Sequence, residues 1–454
     1  MGSRIQTQGS TACGLRLHFA SLVAAMLASL PTAHASTIVV NDASNTSVSG
    51  KCSLPDAVRA VDTSAAVNGC AAGDGTGDTI DLSFFTIPTV IAFNLPSSAD
   101  AQSALLFTRA ATLHGAVGSD GKSVVTIARD AAATADFRVI RTDANLAIDN
   151  VNITGGLVSG HGAGLYASGY ANIALSNSTI SGNAVAAGPP YSGGGISVTH
   201  GSVTLDRCTV NDNTSNKNGG GIYAAFTGTI ALSGSTVSGN IAAVGGGIYN
   251  FLGAVTLGGS TVSNNTGTDR IGGIYGYTSV ALSNSTVAAN TGDGVSSFGN
   301  HSIDRGAPAS VGGGNVSLQF STISGNTGIG VQAGGNAVFN GSILFGNSAG
   351  DLTTSITGAI GVNFYNPSIV PGRGSPFLDC DPLLAPLADN GGPTQTMALQ
   401  AGSCAIDAAS APPPTLPSDQ RGAQFARKVG AGADIGAFEV QVPGERIFYD
   451  GFGI

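Results

Sequence analysis

The chain has 454 residues, a formal net charge of −9, 10% charged residues, 68 glycines and 42% apolar residues. Charged residues make up about a quarter of an ordinary globular chain, so a surface this neutral, and acidic on balance, is not built for nucleic acid or anionic membrane. The apolar share is too high for a disordered chain and suffices to bury a long core.

Residues 1–35 read as an export signal. Arg4 and Arg16 make a basic start, residues 19–30 are an apolar run, and Ala33-His-Ala35 is a small-x-small cleavage site. The run is too short to span a bilayer. The expectation is a secreted chain whose mature form begins at Ser36, with no transmembrane helix after signal removal.

Residues 36–145 read as the N-terminal cap and first coils of a solenoid. Thr37-Ile-Val-Val40 is strand-like, and Ser53-Leu-Pro-Asp56 is a capping box with proline in the first turn, opening a helix through about Val61. A helix laid across the end of a stacked sheet would cover bare core and block end-to-end pairing. Residues 124–127 and 137–140 are the next strands. Cys13 leaves with the signal. In an oxidising compartment Cys52 with Cys70, flanking the helix, and Cys380 with Cys404, flanking a later loop, are the expected disulfides, leaving Cys208 as a packed free thiol. Asp74, Asp78 and Asp81 could offer oxygen ligands to calcium, but no complete loop motif accompanies them, so no cofactor is expected.

Residues 146–350 repeat. A hexapeptide recurs as Ser178-Thr-Ile-Ser-Gly-Asn183, Cys208-Thr-Val-Asn-Asp-Asn213, Ser235-Thr-Val-Ser-Gly-Asn240, Ser260-Thr-Val-Ser-Asn-Asn265, Ser285-Thr-Val-Ala-Ala-Asn290, Ser321-Thr-Ile-Ser-Gly-Asn326 and Ser342-Ile-Leu-Phe-Gly-Asn347, with starts 30, 27, 25, 25, 36 and 21 residues apart. An alternating strand such as Ala254-Val-Thr-Leu257 precedes it, and a Gly-Gly-Ile-Tyr segment follows it at 220–223, 246–249 and 272–275. Three short strands and three turns in roughly 25 residues make one coil of a parallel β-helix, which climbs about 4.8 Å per coil. Asparagine at one corner of every coil predicts a buried ladder of side-chain amides, each donating to one neighbour and accepting from the other.

Only Asp206, Arg207, Asp212, Lys217, Asp269 and Arg270 carry charge between residues 151 and 290. Cleavage of a uronate polymer needs clustered carboxylates and a base, and glycoside hydrolysis needs two carboxylates flanking the bond. The insertion at 291–314, with Asp293, His301, Asp304 and Arg305, is the one place in the coils where acid, base and cation types gather, so these four are the catalytic candidates. Tyr166, Tyr223, Tyr249 and Tyr275 each follow an inward Leu or Ile. They are expected on the outer side of one strand, coil above coil, as a ladder of rings that could bind the flat faces of sugars, with Ser197 breaking the series.

Several stretches resemble known families. Cys52-Ser-Leu-Pro-Asp-Ala57 followed by Asp78-Thr-Ile80 resembles the motif of CSLREA-domain exported bacterial proteins, with Pro55-Asp56 in place of the usual Arg-Glu. The Gly-Gly-Gly-Ile-Tyr coils are similar to polymorphic outer-membrane protein repeats. In residues 351–440, Asp381-Pro-Leu-Leu384, Leu387-Ala-Asp-Asn-Gly-Gly-Pro-Thr394, Ala405-Ile-Asp407, Asp419-Gln-Arg-Gly422 and Asp434-Ile-Gly-Ala-Phe-Glu439 together resemble the choice-of-anchor Q domain. Residues 441–454 form a C-terminal tail. These resemblances imply an all-β, right-handed parallel β-helix of the pectate-lyase-like class with a short N-terminal capping helix, displayed at the bacterial cell surface or secreted. Asp407, Asp419, Arg421, Asp434 and Glu439 are expected to tie a final cap together. The functional expectation is a structural, adhesive or glycan-binding protein that meets extracellular polysaccharide or cell-surface glycans without catalysis. The alternative is a polysaccharide lyase or glycoside hydrolase working through the 291–314 loop.

Overall fold

The computed structural model describes residues 35–186, 192–226, 228–298, 313–353, 358–360, 363–365, 377–378 and 380–441. Among them are two parallel sheets of twelve strands and one of thirteen. Each coil contributes one strand to each sheet in turn: Asp78–Asp81, Thr89–Phe93 and Ser103–Phe107 are followed by Ala111–His114, Val125–Arg129 and Arg138–Thr142, and so on. The result is a right-handed parallel β-helix, the hand that twisted parallel strands impose on their crossovers. In the central coils an additional two-residue strand, such as Thr214–Ser215 or Ile241–Ala242, stands between the second-sheet and third-sheet strands.

Like stacks on like inside. In the second sheet Ile153, Ile180, Val210, Val237, Val262, Val287, Ile323 and Leu344 stand in register and fully buried. Each such side chain contributes about 1.5–3 kcal/mol of burial.

Two corners of each coil are made by one residue in the left-handed region. The first, between the first and second sheets, uses Asn177, Arg207, Gly234, Gly259, Asn284, Phe320 and Gly341; the second uses Gly182, Asp212, Gly239, Asn264, Ala289, Gly325 and Gly346. After the second corner comes the asparagine ladder. Asn183, Asn213, Asn240, Asn265, Asn290 and Asn326 each donate from Nδ2 to the Oδ1 of the next member at 2.8–3.0 Å, and Asp351 accepts from Asn347 at the end of the file. The same Oδ1 atoms accept backbone N–H groups, so the buried turn is satisfied. After the first corner runs a second file that the repeat pattern did not suggest. Ser235, Ser260, Ser285, Ser321 and Ser342 each accept the backbone N–H of the matching residue one coil earlier. The glycine clusters follow from close approach: a Cβ on Gly220 would lie 2.4 Å from Gly246 O and 2.6 Å from Ile241 O.

The helix Leu54–Thr63 closes the N-terminal end, placing Leu54, Ala57, Val58, Ala60 and Val61 in the main core, and Cys52–Cys70 ties it down. Ser53 does not cap it in the expected way. Its hydroxyl donates to Asp56 Oδ2 at 2.9 Å, making no side-chain bond to the helix backbone. Asp56 is buried and also accepts from Ser47 and Asn68; burial works against its charge, but these donors hold its carboxyl below the usual range. No helix of the described residues is long and apolar enough to cross a membrane.

Residues 380–441, with the Cys380–Cys404 disulfide, run as a strap along the outer side of the second sheet. Thr394 donates to Gly259 O, Thr261 to Gln395 O and Thr286 to Gln420 Oε1, while Ala437 N donates to Thr322 Oγ1. The outward threonines of the repeat are thus what this segment grips. The five charged residues do tie it internally: Arg421 pairs with Asp419 at 2.7 Å between the rings of Phe425 and Phe438, and Asp434 and Glu439 accept backbone amides. Arg427 adds a fully buried pair to Glu439 at 3.2 Å and lies over Phe320, the corner residue at φ 46°.

Candidate functional site

The catalytic candidates are not assembled among the described residues. Asp293 is buried, accepting from Arg270 Nε at 2.9 Å, from Ile329 N at 2.8 Å and from Ser296 Oγ at 3.3 Å, so its carboxylate is spent on holding the coil. His301, Asp304 and Arg305 lie outside the described residues. The carboxylates of Asp74, Asp78 and Asp81 are spent within the fold: Asp78 accepts from Asp74 and Gly75 in its own turn and from the distant Ser36, Asp74 from Thr76, and Asp81 from Ser83.

The tyrosine ladder forms, but it is not an exposed stripe. Tyr223 stacks on Tyr249 at 5.4 Å and Tyr249 on Tyr275 at 4.7 Å, on the outer side of the third sheet, and all three are buried. Val244, Ile271 and Phe298 pack with them in a second core outside the sheet, so their faces are not offered to solvent. Tyr166 stands apart, in register with Ser197, stacked on His161 and beneath Arg138.

A different aromatic file does reach solvent. At the turn between the third and first sheets, Tyr170 lies 4.9 Å from His200, His200 stacks on Phe226 at 4.6 Å, and the file continues inward through Phe251 and Tyr277. Tyr170 is 77% exposed and Phe226 38%, whereas Phe251 and Tyr277 are buried. The file therefore has an open end at Tyr170. One coil earlier the equivalent turn carries Asp143, paired with Arg141 at 2.9 Å and accepting from Ser168 Oγ. Burial works against the charge on Arg141, yet Asp143 and Asp100 hold its guanidinium more firmly charged than usual.

Beside this file runs a polar one. Asn172 donates from N and Nδ2 to Asn145 Oδ1 at 2.9 and 3.3 Å, Ser202 N donates to Asn172 Oδ1 at 2.9 Å, and Thr229 Oγ1 to Ser202 Oγ at 2.8 Å. Asn145 and Asn172 form one side of a shallow groove of about 270 Å3 on the outer face of the first sheet, floored by Thr112, Ala147 and Ala174. Two residues further along those strands, His114 Nδ1 meets Asp149 Oδ2 at 2.7 Å, with Asp81 in register one coil earlier. A larger cleft of about 600 Å3 lies between the helix and residues 95–99. Of its acids, Asp56 is spent as described and Asp62 accepts Thr108 N, with burial raising its pKa despite that bond.

Tyr170, Asp143 and His114 escaped the sequence analysis because each sits in a coil whose turn lengths differ from the central repeat. Aligning Asp78–Asp81, Ala111–His114 and Leu146–Asp149 as successive first-sheet strands would have put Asp81, His114 and Asp149 in one file.

No protein-family model matches the chain, and no curated protein matches it. Among solved structures it is similar to the pectate lyase Pel9A, with a TM-score of 0.50 and 15% identity over 90% of this chain and 98% of that one. At this identity the likeness is one of fold, the parallel β-helix.

Proposed function

We propose that this chain is an exported, extracellular β-helical protein whose side wall binds polysaccharide as a scaffold or adhesin, without cleaving it. The observation that carries the reading is the solvent-facing file of Tyr170, His200 and Phe226 beside the amides and hydroxyls of Asn145, Asn172, Ser202 and Thr229. Aromatic rings pack against apolar C–H faces while amides and hydroxyls fix orientation, which is the pairing a sugar ring requires. Two disulfides accord with an oxidising, extracellular setting. The fold is shared with a pectate lyase, whose name denotes a polysaccharide substrate. The resemblance of residues 351–440 to the choice-of-anchor Q domain supports placement at the cell surface.

A second reading, a carbohydrate-active enzyme, is favoured by one observation: the His114–Asp149 pair on the same wall sets an imidazole against a carboxylate, the pairing that orients a general base. Purified protein screened on a glycan array, with release of reducing ends assayed in parallel, tests both. Binding of a polysaccharide that weakens at least tenfold in Tyr170→Ala, with no release, is the expected result. No retention of any glycan sinks the first reading, and release abolished by His114→Ala or Asp304→Ala would install the second.

A further inference from the structure

We infer that the polysaccharide taken by this wall is an uncharged linear chain lying across the first sheet, from the free face of Tyr170 to the His114–Asp149 pair; the inference rests on the binding reading above. Tyr170 ends its file tilted at 38° against His200 and is 77% exposed, so a sugar ring packed on its open side continues the column. Around that position the Arg141–Asp143 pair stands half-exposed, with the fork of the guanidinium and the carboxylate side by side. Such a pair presents a donor and an acceptor at the spacing of neighbouring hydroxyls.

From there the groove leads along the strands. Asn145 and Asn172 line one side of it, and its floor of Thr112, Ala147 and Ala174 is small enough for rings to lie close to the sheet. The strand Leu146–Asp149 alone gives about 13 Å of extended chain, room for more than one sugar ring. Several shallow contacts in line suit a polymer better than a monosaccharide.

The charges select the class of polymer. Asp81, Asp143 and Asp149 border this path, and Asp100 lies 3.5 Å from Arg141. Arg141 is shared between Asp143 and Asp100, and Asp100 is also met by the buried Arg138 at 3.6 Å, so two guanidiniums face four carboxylates. A uronate chain would bring a carboxylate on each residue into a path that is acidic on balance, in a molecule of net charge −9. A neutral glycan meets the same hydroxyl, amide and carboxylate acceptors without that repulsion. The wall therefore differs in ligand class from what the name of its fold relative would suggest.

Affinity electrophoresis of the full chain through gels containing a neutral β-glucan, xylan or mannan, polygalacturonate, or chitosan, at physiological salt, tests this. Retardation by at least one neutral polymer, weakened at least tenfold in Tyr170→Ala and in Asn172→Ala, with no retardation by polygalacturonate, is expected. The double change Asp143→Lys with Asp149→Lys should then admit polygalacturonate. Thermal melting of each variant shows whether the fold persists, and Tyr170→Ala, at a residue 77% exposed, is expected to leave it unchanged. Retardation by polygalacturonate or chitosan in preference to every neutral polymer, still sensitive to Tyr170→Ala, overturns the ligand class while the binding wall stands. Retardation by none of the polymers removes the wall itself.

Discussion

Cys208 occupies a serine position in the corner file and shows what that position demands. Its thiol donates to Asp206 O at 3.3 Å and receives the Ser178 N–H, as the hydroxyls do in the other coils. Burial pushes its pKa up to about 11, so the thiol is neutral at any ordinary pH. Cys208→Ser is expected to hold stability to within about 1 kcal/mol, because the file is completed, while Cys208→Ala leaves a buried N–H unpaired and costs about 1–3 kcal/mol. Chemical denaturation separates the two. The native thiol should resist alkylation at pH 8 and react only on unfolding. The asparagines are less forgiving. Asn265→Ala strips the acceptor from both the backbone N–H and the side-chain amide of Asn240, in a corner with no access to water. Two unsatisfied buried donors should cost about 3 kcal/mol or more, read as a loss in the same denaturation experiment.

The strap over the second sheet is held by a buried electrostatic knot with a consequence for pH. Burial raises Glu439 to about 7 from its ordinary 4.5, and Asp434 is raised as well by the same cause, even though Arg427 and backbone amides favour the charged forms. A carboxyl whose folded pKa exceeds its unfolded one binds its proton more tightly when folded. Its stabilising effect is complete below about 4.5 and is lost as pH rises through about 7. Asp56, Asp78 and Asp100 shift the opposite way and contribute stability that disappears on acidification. The Glu439 effect is therefore isolated by comparison. The wild-type melting temperature should fall relative to that of Glu439→Gln as pH goes from 4.5 to 7.5, and parallel curves would refute the assignment. Greater hydrogen-exchange protection of the amides at 419–437 at acid pH, after correction for the intrinsic pH dependence of exchange and absent in Glu439→Gln, would locate the effect in the strap.

The coil, its three strands and its asparagine ladder were all legible from residue order, because a parallel β-helix pairs each coil with the next one at nearly constant separation. Periodic Val, Ile and Asn therefore report their own neighbours. The Cys52–Cys70 and Cys380–Cys404 pairs were legible for a related reason, each closing a short stretch of chain. Which outward residues stay in water is a different kind of fact. Tyr223, Tyr249 and Tyr275 alternate outward as expected, yet Val244 and Phe298 from outside the regular strands, and Ile271 from the irregular part of strand Thr266–Gly276, cover them. Thr261, Thr286 and Thr322 are hidden by a strap more than a hundred residues later in the chain. Tyr170 is exposed because no described segment returns over its coil. Strand alternation tells which side of a sheet a residue takes, since that depends on the local backbone alone. What covers that side depends on turn lengths and on where distant chain comes back, and only the packed tertiary structure decides it.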